Sequence, residues 1–107
     1  MPACPKNIPY RNQKLRDLAA ECPQCMYCGE QNHGQVVGCH SNSAKFGKGL
    51  GQKASDAPIA YLCRACHDLA DGRIGPHLDQ TFRDSVFYEG ACKTWLWLMR
   101  EGHLVLK

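Results

Sequence analysis

The stretch YLCRACHDLAD, residues 61–71, puts Cys63, Cys66 and His67 within five positions and follows them with Asp68 and Asp71. Three chemistries use such a pattern. C-x-x-C-H attaches c-type haem, with the thiols on the vinyl groups and the histidine on iron. A C-x-x-C dithiol can attack a disulfide. A C-x-x-C knuckle can also supply half of a tetrahedral zinc site. Haem attachment requires export and gives Cys25 and Cys28 no role. The redox reading requires the larger α/β frame of thioredoxin-like proteins, which a chain of 107 residues does not supply. The zinc reading uses both pairs, Cys25–Cys28 in CMYCG and Cys63–Cys66 in CRAC. Each two-residue gap lets two sulfurs converge on one ion at about 2.3 Å, and two knuckles complete a tetrahedron. A structural Zn²⁺ held by Cys25, Cys28, Cys63 and Cys66 is therefore expected, and no haem.

Cys22 offers a rival first pair in CPQC. The pair Cys25–Cys28 is preferred because Gly29 follows at once and a knuckle needs a glycine to turn its backbone. Cys4, Cys39 and Cys92 have no evident partner and read as small buried hydrophobes or free thiols.

The 34 residues between Cys28 and Cys63 exceed the gap of a short zinc finger, so something is inserted there. The insert carries His40 in GCHSN and then a loop in which Lys45, Lys48 and Lys53 alternate with Gly47, Gly49 and Gly51. Bare glycine amides approach phosphate closely while lysines neutralise it; the plain alternative is a solvated loop. GKGLGQK is not a nucleotide-binding P-loop, since the required Lys-Ser/Thr pair is missing. Beyond the second knuckle, His67 and Asp71 are four apart and share a helix face, where they can grip one cation. Taken singly, His40 reads as a hydrogen-bonded structural histidine, His67 as a further zinc-binding residue and Asp71 as a helix-end carboxylate. Their juxtaposition favours chemistry. His33, His77 and His103 lack partners in sequence and read as surface residues.

The elements that must position these groups follow from pattern. Residues 1–11 form a loose arm. Leu15, Leu18 and Ala19 lie at helical spacing in 12–21, with Asn12 as N-cap and Pro23 as the stop. Residues 22–32 are a turn-rich knuckle. Val36 and Val37 mark a short strand within 34–42, 43–56 is loop, and the apolar run 57–63 is a second strand. A short helix runs from Cys66 to Gly72. The longest helix, over 79–101, places Phe82, Val86, Ala91, Leu96 and Met99 roughly on one face. Gly90 weakens its middle by about 1 kcal/mol relative to alanine. Trp95 and Trp97 cannot share a face, so one is expected in the core and the other at an interface. Residues 103–107 close the chain as a strand or tail. The result is a single α+β domain over 1–107 with its unusual chemistry in 22–73.

Eight cysteines in so short a chain would suggest disulfides in a secreted protein. The first twenty residues contain charges and lack an apolar signal-peptide core, and no window reaches the roughly 18 apolar residues of a membrane span. A cytoplasmic location follows as an expectation. A formal net charge of +3 permits nucleic-acid binding without demanding it.

A histidine on one strand, a loop, and C-x-x-C-H entering a helix between zinc knuckles resembles the HNH endonucleases with their ββα-metal, treble-clef-like core. More narrowly, VVGCHSN, GKGLGQKASD and IAYLCRACHDLADG resemble, in order and with suitable gaps over roughly residues 10–73, the small prophage-encoded YbcO-like nucleases. The resemblance implies a DNA endonuclease of phage recombination or replication, working in the cytoplasm of a bacterial host. It assigns His40 as general base and His67 and Asp71 as ligands of a catalytic divalent metal (Mg²⁺, Mn²⁺ or Zn²⁺). Asp56 would orient His40 or join the metal shell, and Asn42 would contact phosphate or brace the hairpin. Many of these enzymes carry Asp or His directly before the base as a ligand; here that residue is Cys39. Two protein ligands suit Mg²⁺ with retained waters, whereas a Cys39 thiolate would favour a softer metal. The competing function is a non-catalytic zinc module that binds DNA or protein.

Overall fold

A computed structural model describes residues 12–40, 58–75 and 77–104. Asn42, Lys45, Lys48, Lys53 and Asp56 lie outside the described residues, as do the expected N-terminal arm and Cys4.

Helix α1 spans Gln13–Asp17 and starts where Asn12, in extended conformation, accepts the Leu15 N–H at 3.2 Å. It does not run unbroken to residue 21. Leu18–Glu21 tighten into a 3₁₀ turn before Pro23, a common way for a helix to close against a break. Leu15, Leu18 and Ala19 are buried, as their spacing requires.

Strands β1 (Val36–His40) and β2 (Ile59–Cys63) form an antiparallel pair in which Val36 faces Cys63 and His40 faces Ile59. Helix α2 (Arg64–Asp71) follows with no linker, because Cys63 ends β2 and is also the helix N-cap. It begins two residues earlier than its pattern suggests, so Cys66 and His67 both sit in the first turns. Gly72 ends it in the left-handed conformation (φ 82°), with its N–H bonded to the carbonyls of Asp68 and Leu69. Helix α3 (Gln80–Arg100) is capped by Asp79, which accepts the Phe82 N–H at 2.9 Å.

Every residue of β2 is buried. Ala60 and Leu62 meet α3, and the Tyr61 hydroxyl donates to the Leu15 carbonyl of α1. The free edge of β2 is also covered: the Tyr61 N–H donates to Thr94 Oγ1 at 2.9 Å, and its carbonyl accepts the Met26 N–H at 2.9 Å. Such cover satisfies backbone groups that an edge strand would otherwise offer to another chain.

The buried face of α3 keeps Val86 and Ala91 from the expected one but not its other three residues. Phe82, Leu96 and Met99 are exposed, while Arg83, Val86, Phe87, Gly90, Ala91, Thr94 and Leu98 face inward. Small residues decide this. A Cβ on Gly90 would come within 2.7 Å of Leu62 Cδ2 and 3.3 Å of the Ala60 Cβ, so the helix lies on the sheet only because residue 90 has no side chain. Thr94 faces in because its hydroxyl serves β2 and donates to the Gly90 carbonyl at 2.7 Å. Trp97 packs against the core, edge-on to Tyr61 at 6.1 Å between centroids. His103 is not a detached surface residue: it lies against Trp97 at 5.3 Å, and its N–H closes the chain back on the Leu98 carbonyl at 2.9 Å. Residues 101–104 make a turn rather than a strand, and 105–107 lie outside the described residues. Among the described residues, no helix is long and apolar enough to cross a membrane.

Candidate metal centres

The knuckle at 22–32 is built by its own backbone. The Cys25 N–H donates to the Glu30 carbonyl at 2.8 Å, and the Gly29 N–H to the Cys25 carbonyl at 3.1 Å. Gly29 adopts φ 82°, the conformation for which a glycine is needed. The turn aims the N–H groups of Tyr27 and Cys28 at Cys25 Sγ, at 3.4 and 3.5 Å. Cys63 and Cys66 arrive from the β2–α2 junction. The four sulfurs of Cys25, Cys28, Cys63 and Cys66 lie within 4.8 Å of one another.

Their spacing identifies what they suit. Cys28 Sγ and Cys63 Sγ are 3.8 Å apart. A disulfide requires about 2.05 Å. Two sulfurs bound tetrahedrally at about 2.3 Å from one zinc stand about 3.8 Å apart. The cluster can therefore hold a structural metal such as zinc. Cys22 is buried but outside the group, its thiol donating to the Gln24 carbonyl at 3.2 Å.

Without an ion, Cys25, Cys63 and Cys66 are pulled in different directions. Burial pushes Cys66 up, reinforced by the neighbouring Cys63, Cys25 and Cys28 sulfurs. Burial also raises Cys63. At Cys25 burial acts in the same direction, but amide donors from Cys63, Cys28 and Tyr27 outweigh it and bring the thiol down to about 7. The fold thus readies Cys25 to ionise and leaves Cys63 and Cys66 requiring a cation.

A second donor group lies beside the first. Cys39, His67 and Asp71 bring a sulfur, an imidazole nitrogen and a carboxylate oxygen within 4.8 Å of one another. In sequence Cys39 had no evident partner; the register supplies one. Opposed residues share a face of an antiparallel pair, so Cys39 lies on the side of Ala60, the side that α3 covers. Cys39 has no exposed surface, and its thiol donates to the His40 carbonyl at 3.7 Å. His67 Nε2 stands 3.3 Å from Asp71 Oδ2, one helical turn on. Arg73 approaches the same oxygen at 3.7 Å and Asp68 at 3.6 Å, from a largely exposed position.

His40, half-buried at the end of β1, lines a narrow cleft with Asp71, Gln80, Asp84 and Tyr88. Asp71 thus belongs to both the donor group and the cleft. Gln80 Nε2 donates to Asp84 Oδ1 at 2.8 Å, which fixes that carboxylate on α3. Sequence reasoning looked to Asp56 for a further carboxylate near His40; among the described residues Asp84 joins Asp71 in the cleft, and no local motif marks it.

Arg83 was also not foreseen. It is 7 % exposed, and its guanidinium donates to the carbonyls of Leu69 (3.0 Å), Ile74 (3.2 Å), Gly75 and Leu78 (3.2 Å). One charge thereby closes the end of α2 and the whole turn into α3. It fixes the segment that carries Asp71.

In comparisons of the chain with protein-family models, with curated proteins and with solved structures, no match was found.

Proposed function

We propose that the chain is a metal-dependent endonuclease that hydrolyses DNA phosphodiester bonds, with His40 as general base and a divalent ion held by His67 and Asp71. The observation that carries this reading is the position of Asp71, which belongs to the Cys39–His67–Asp71 group and lines the cleft that His40 also lines. Metal donors and a candidate base thus share one edge of the molecule. The β1–β2–α2 order, with a cysteine knuckle beneath it, supports an HNH-like ββα-metal core.

In this mechanism the His40 imidazole takes a proton from a water as that water's oxygen bonds to phosphorus. The bond from phosphorus to the 3′ oxygen breaks, and the departing oxygen takes its proton from solvent. Imidazole titrates near neutral pH and suits this role. A divalent ion at His67 and Asp71 would supply Lewis-acid stabilisation of the negative charge that builds on the phosphate. Asp84 and Gln80 border the same cleft and bound the space in which His40 can turn. The lysines of the insert would neutralise flanking phosphates, which gives low sequence specificity and a steep salt dependence. A phage or prophage setting in the host cytoplasm belongs to the same proposal.

The test is nicking of supercoiled plasmid in Mg²⁺, Mn²⁺ or Zn²⁺. Loss of a general base costs about 10²–10⁴-fold. His40→Ala should fall by that factor while keeping its far-UV circular dichroism and its metal content. Nicking unaffected by His40→Ala removes His40 as the base. No nicking with any of the three metals points instead to a non-catalytic zinc module that binds DNA or protein.

A further inference from the structure

We propose that the second centre selects a zinc-class ion rather than magnesium, and that Cys39 is the residue that sets this choice. The inference rests on reading Cys39, His67 and Asp71 as a metal centre and adds the identity of its ion.

The donor set carries the argument. His67 and Asp71 alone would suit a hard ion that keeps most of its water. Cys39 adds a sulfur within 4.8 Å of both other donor atoms. Magnesium takes oxygen ligands in near-ideal octahedral geometry and gains nothing from a thiolate. Thiolate together with imidazole favours zinc and its borderline-soft neighbours. Three protein donors are also the number found in zinc sites that keep one position for water or substrate.

Distance agrees with donor type. His67 Nε2 and Asp71 Oδ2 are 3.3 Å apart. Nitrogen and oxygen donors bound tetrahedrally at about 2.0–2.1 Å from one zinc stand about 3.3–3.4 Å apart. A direct N–H···O bond is typically shorter, about 2.7–3.2 Å.

Burial sharpens the choice. Cys39 is fully buried on the face covered by α3, so its sulfur cannot swing into solvent to leave an all-oxygen-and-nitrogen site. The adjoining four-cysteine cluster makes a second ion of the same class distinguishable by number. The two centres meet at consecutive residues, Cys66 in one and His67 in the other.

The experiment is a cobalt titration of the reduced full-length protein, followed by its sulfur-to-cobalt charge-transfer absorption, with bound zinc counted by elemental analysis of the zinc-loaded form. Wild type should take two equivalents, the second adding a further, smaller charge-transfer rise. Cys39→Ser should keep the first equivalent and lose the second rise, with second-site zinc affinity falling at least about 100-fold, beyond the loss typical of an outer-shell partner. Asp71→Asn, at a partly exposed position, provides an independent arm should Cys39→Ser not fold: it should weaken the second equivalent and keep its charge-transfer band. A second equivalent without sulfur absorption, a single equivalent in wild type, or Mg²⁺ displacing the second zinc at millimolar concentration would each overturn the proposal. Nicking activity separates this result from the nuclease reading. Two thiolate-bearing cobalt sites without cleavage leave the ion assignment standing and remove the nuclease. Magnesium-dependent cleavage with one cobalt site does the reverse.

Discussion

At the scale of residues, the four knuckle cysteines are bound together by mutual need. Each was legible as a pair member because C-x-x-C is a local spacing, and Gly29 marked the right first pair because a positive φ is a local demand. Spacing alone gave Cys39 no partner, and it entered as a possible ligand only through the resemblance, since its partners are 28 and 32 residues further along the chain and strand register delivers them. Cys28→Ser should abolish the structural metal site, because only three of the four sulfurs that complete the tetrahedron remain. Elemental analysis should find that ion lost, and thermal denaturation should show a large fall in stability. Tyr61 gives a second residue-scale prediction. Burial, and secondarily the nearby Cys22, raise its hydroxyl above the ordinary phenol value. Above about pH 10 an unfolded chain loses that proton while the folded one keeps it, so the folded state binds more protons and stability falls as pH rises, at up to about 1.4 kcal/mol per unit. Urea denaturation of the metal-loaded protein from pH 8 to 11 should show this decline. Tyr61→Phe should flatten it while costing about 1–2 kcal/mol at neutral pH, since the Leu15 carbonyl loses its donor.

At the scale of elements, existence and order could be read from sequence, but contact faces only in part. Apolar periodicity located α3 and its buried Val86 and Ala91, but it put Phe82, Leu96 and Met99 on the same side, where they do not lie. The inward side is chosen by absence of bulk at Gly90 and by the hydrogen-bonding needs of Thr94 and Arg83, and a count of large apolar residues registers none of these. Gly90→Ala tests the point with two opposed terms. Helix propensity favours alanine by about 1 kcal/mol. Overpacking against the fully buried Leu62 costs about 1–3 kcal/mol. The packing cost should win, with a net loss of about 1 kcal/mol in chemical denaturation; a gain would mean that Leu62 has room to move. Arg83 links α2 to α3 through four backbone carbonyls that no other described side chain serves. Arg83→Leu should destabilise by about 1–3 kcal/mol, because the Ile74 and Leu78 carbonyls lose the guanidinium donor while those of Leu69 and Gly75 keep only the N–H groups of Gly72 and Leu78. Amide exchange should speed up most over 69–78. Arg83→Lys should recover only part of the loss, as one ammonium cannot reach the span that a guanidinium covers.

At the scale of the whole molecule, a two-stranded sheet is a small nucleus for a fold, and β2 is enclosed by α1, α3 and the knuckle together. The knuckle reaches the sheet through the Met26 amide, and two of its four sulfurs come from the end of β2 and the start of α2. An ion among those sulfurs would therefore tie the knuckle to the unit that carries Cys39, His67 and Asp71. Chelation should lower the melting temperature of the entire molecule in one transition rather than loosen one end. The raised thiols at Cys63 and Cys66 add a pH signature to the metal-free form. The folded state holds those protons more tightly than the unfolded chain, so its stability is present below about pH 8.5 and is lost as pH rises above it. The metal-loaded form behaves oppositely in acid, because protons compete with the ion for thiolate. The cluster of cysteines was the most legible whole-molecule feature, whereas the cleft bordered by Asp84 and Gln80 was the least, being formed only when α3 lies across the end of the hairpin.

The most direct measurement of the central claim is an anomalous difference map at the zinc edge from crystals of the zinc-loaded protein. Two peaks are expected, one enclosed by the sulfurs of Cys25, Cys28, Cys63 and Cys66, the other bonded to His67 and Asp71 and adjoining the cleft that His40 lines. A single peak among the four cysteines, with none at Cys39, His67 and Asp71, would contradict the account of those three residues as a zinc-class metal centre.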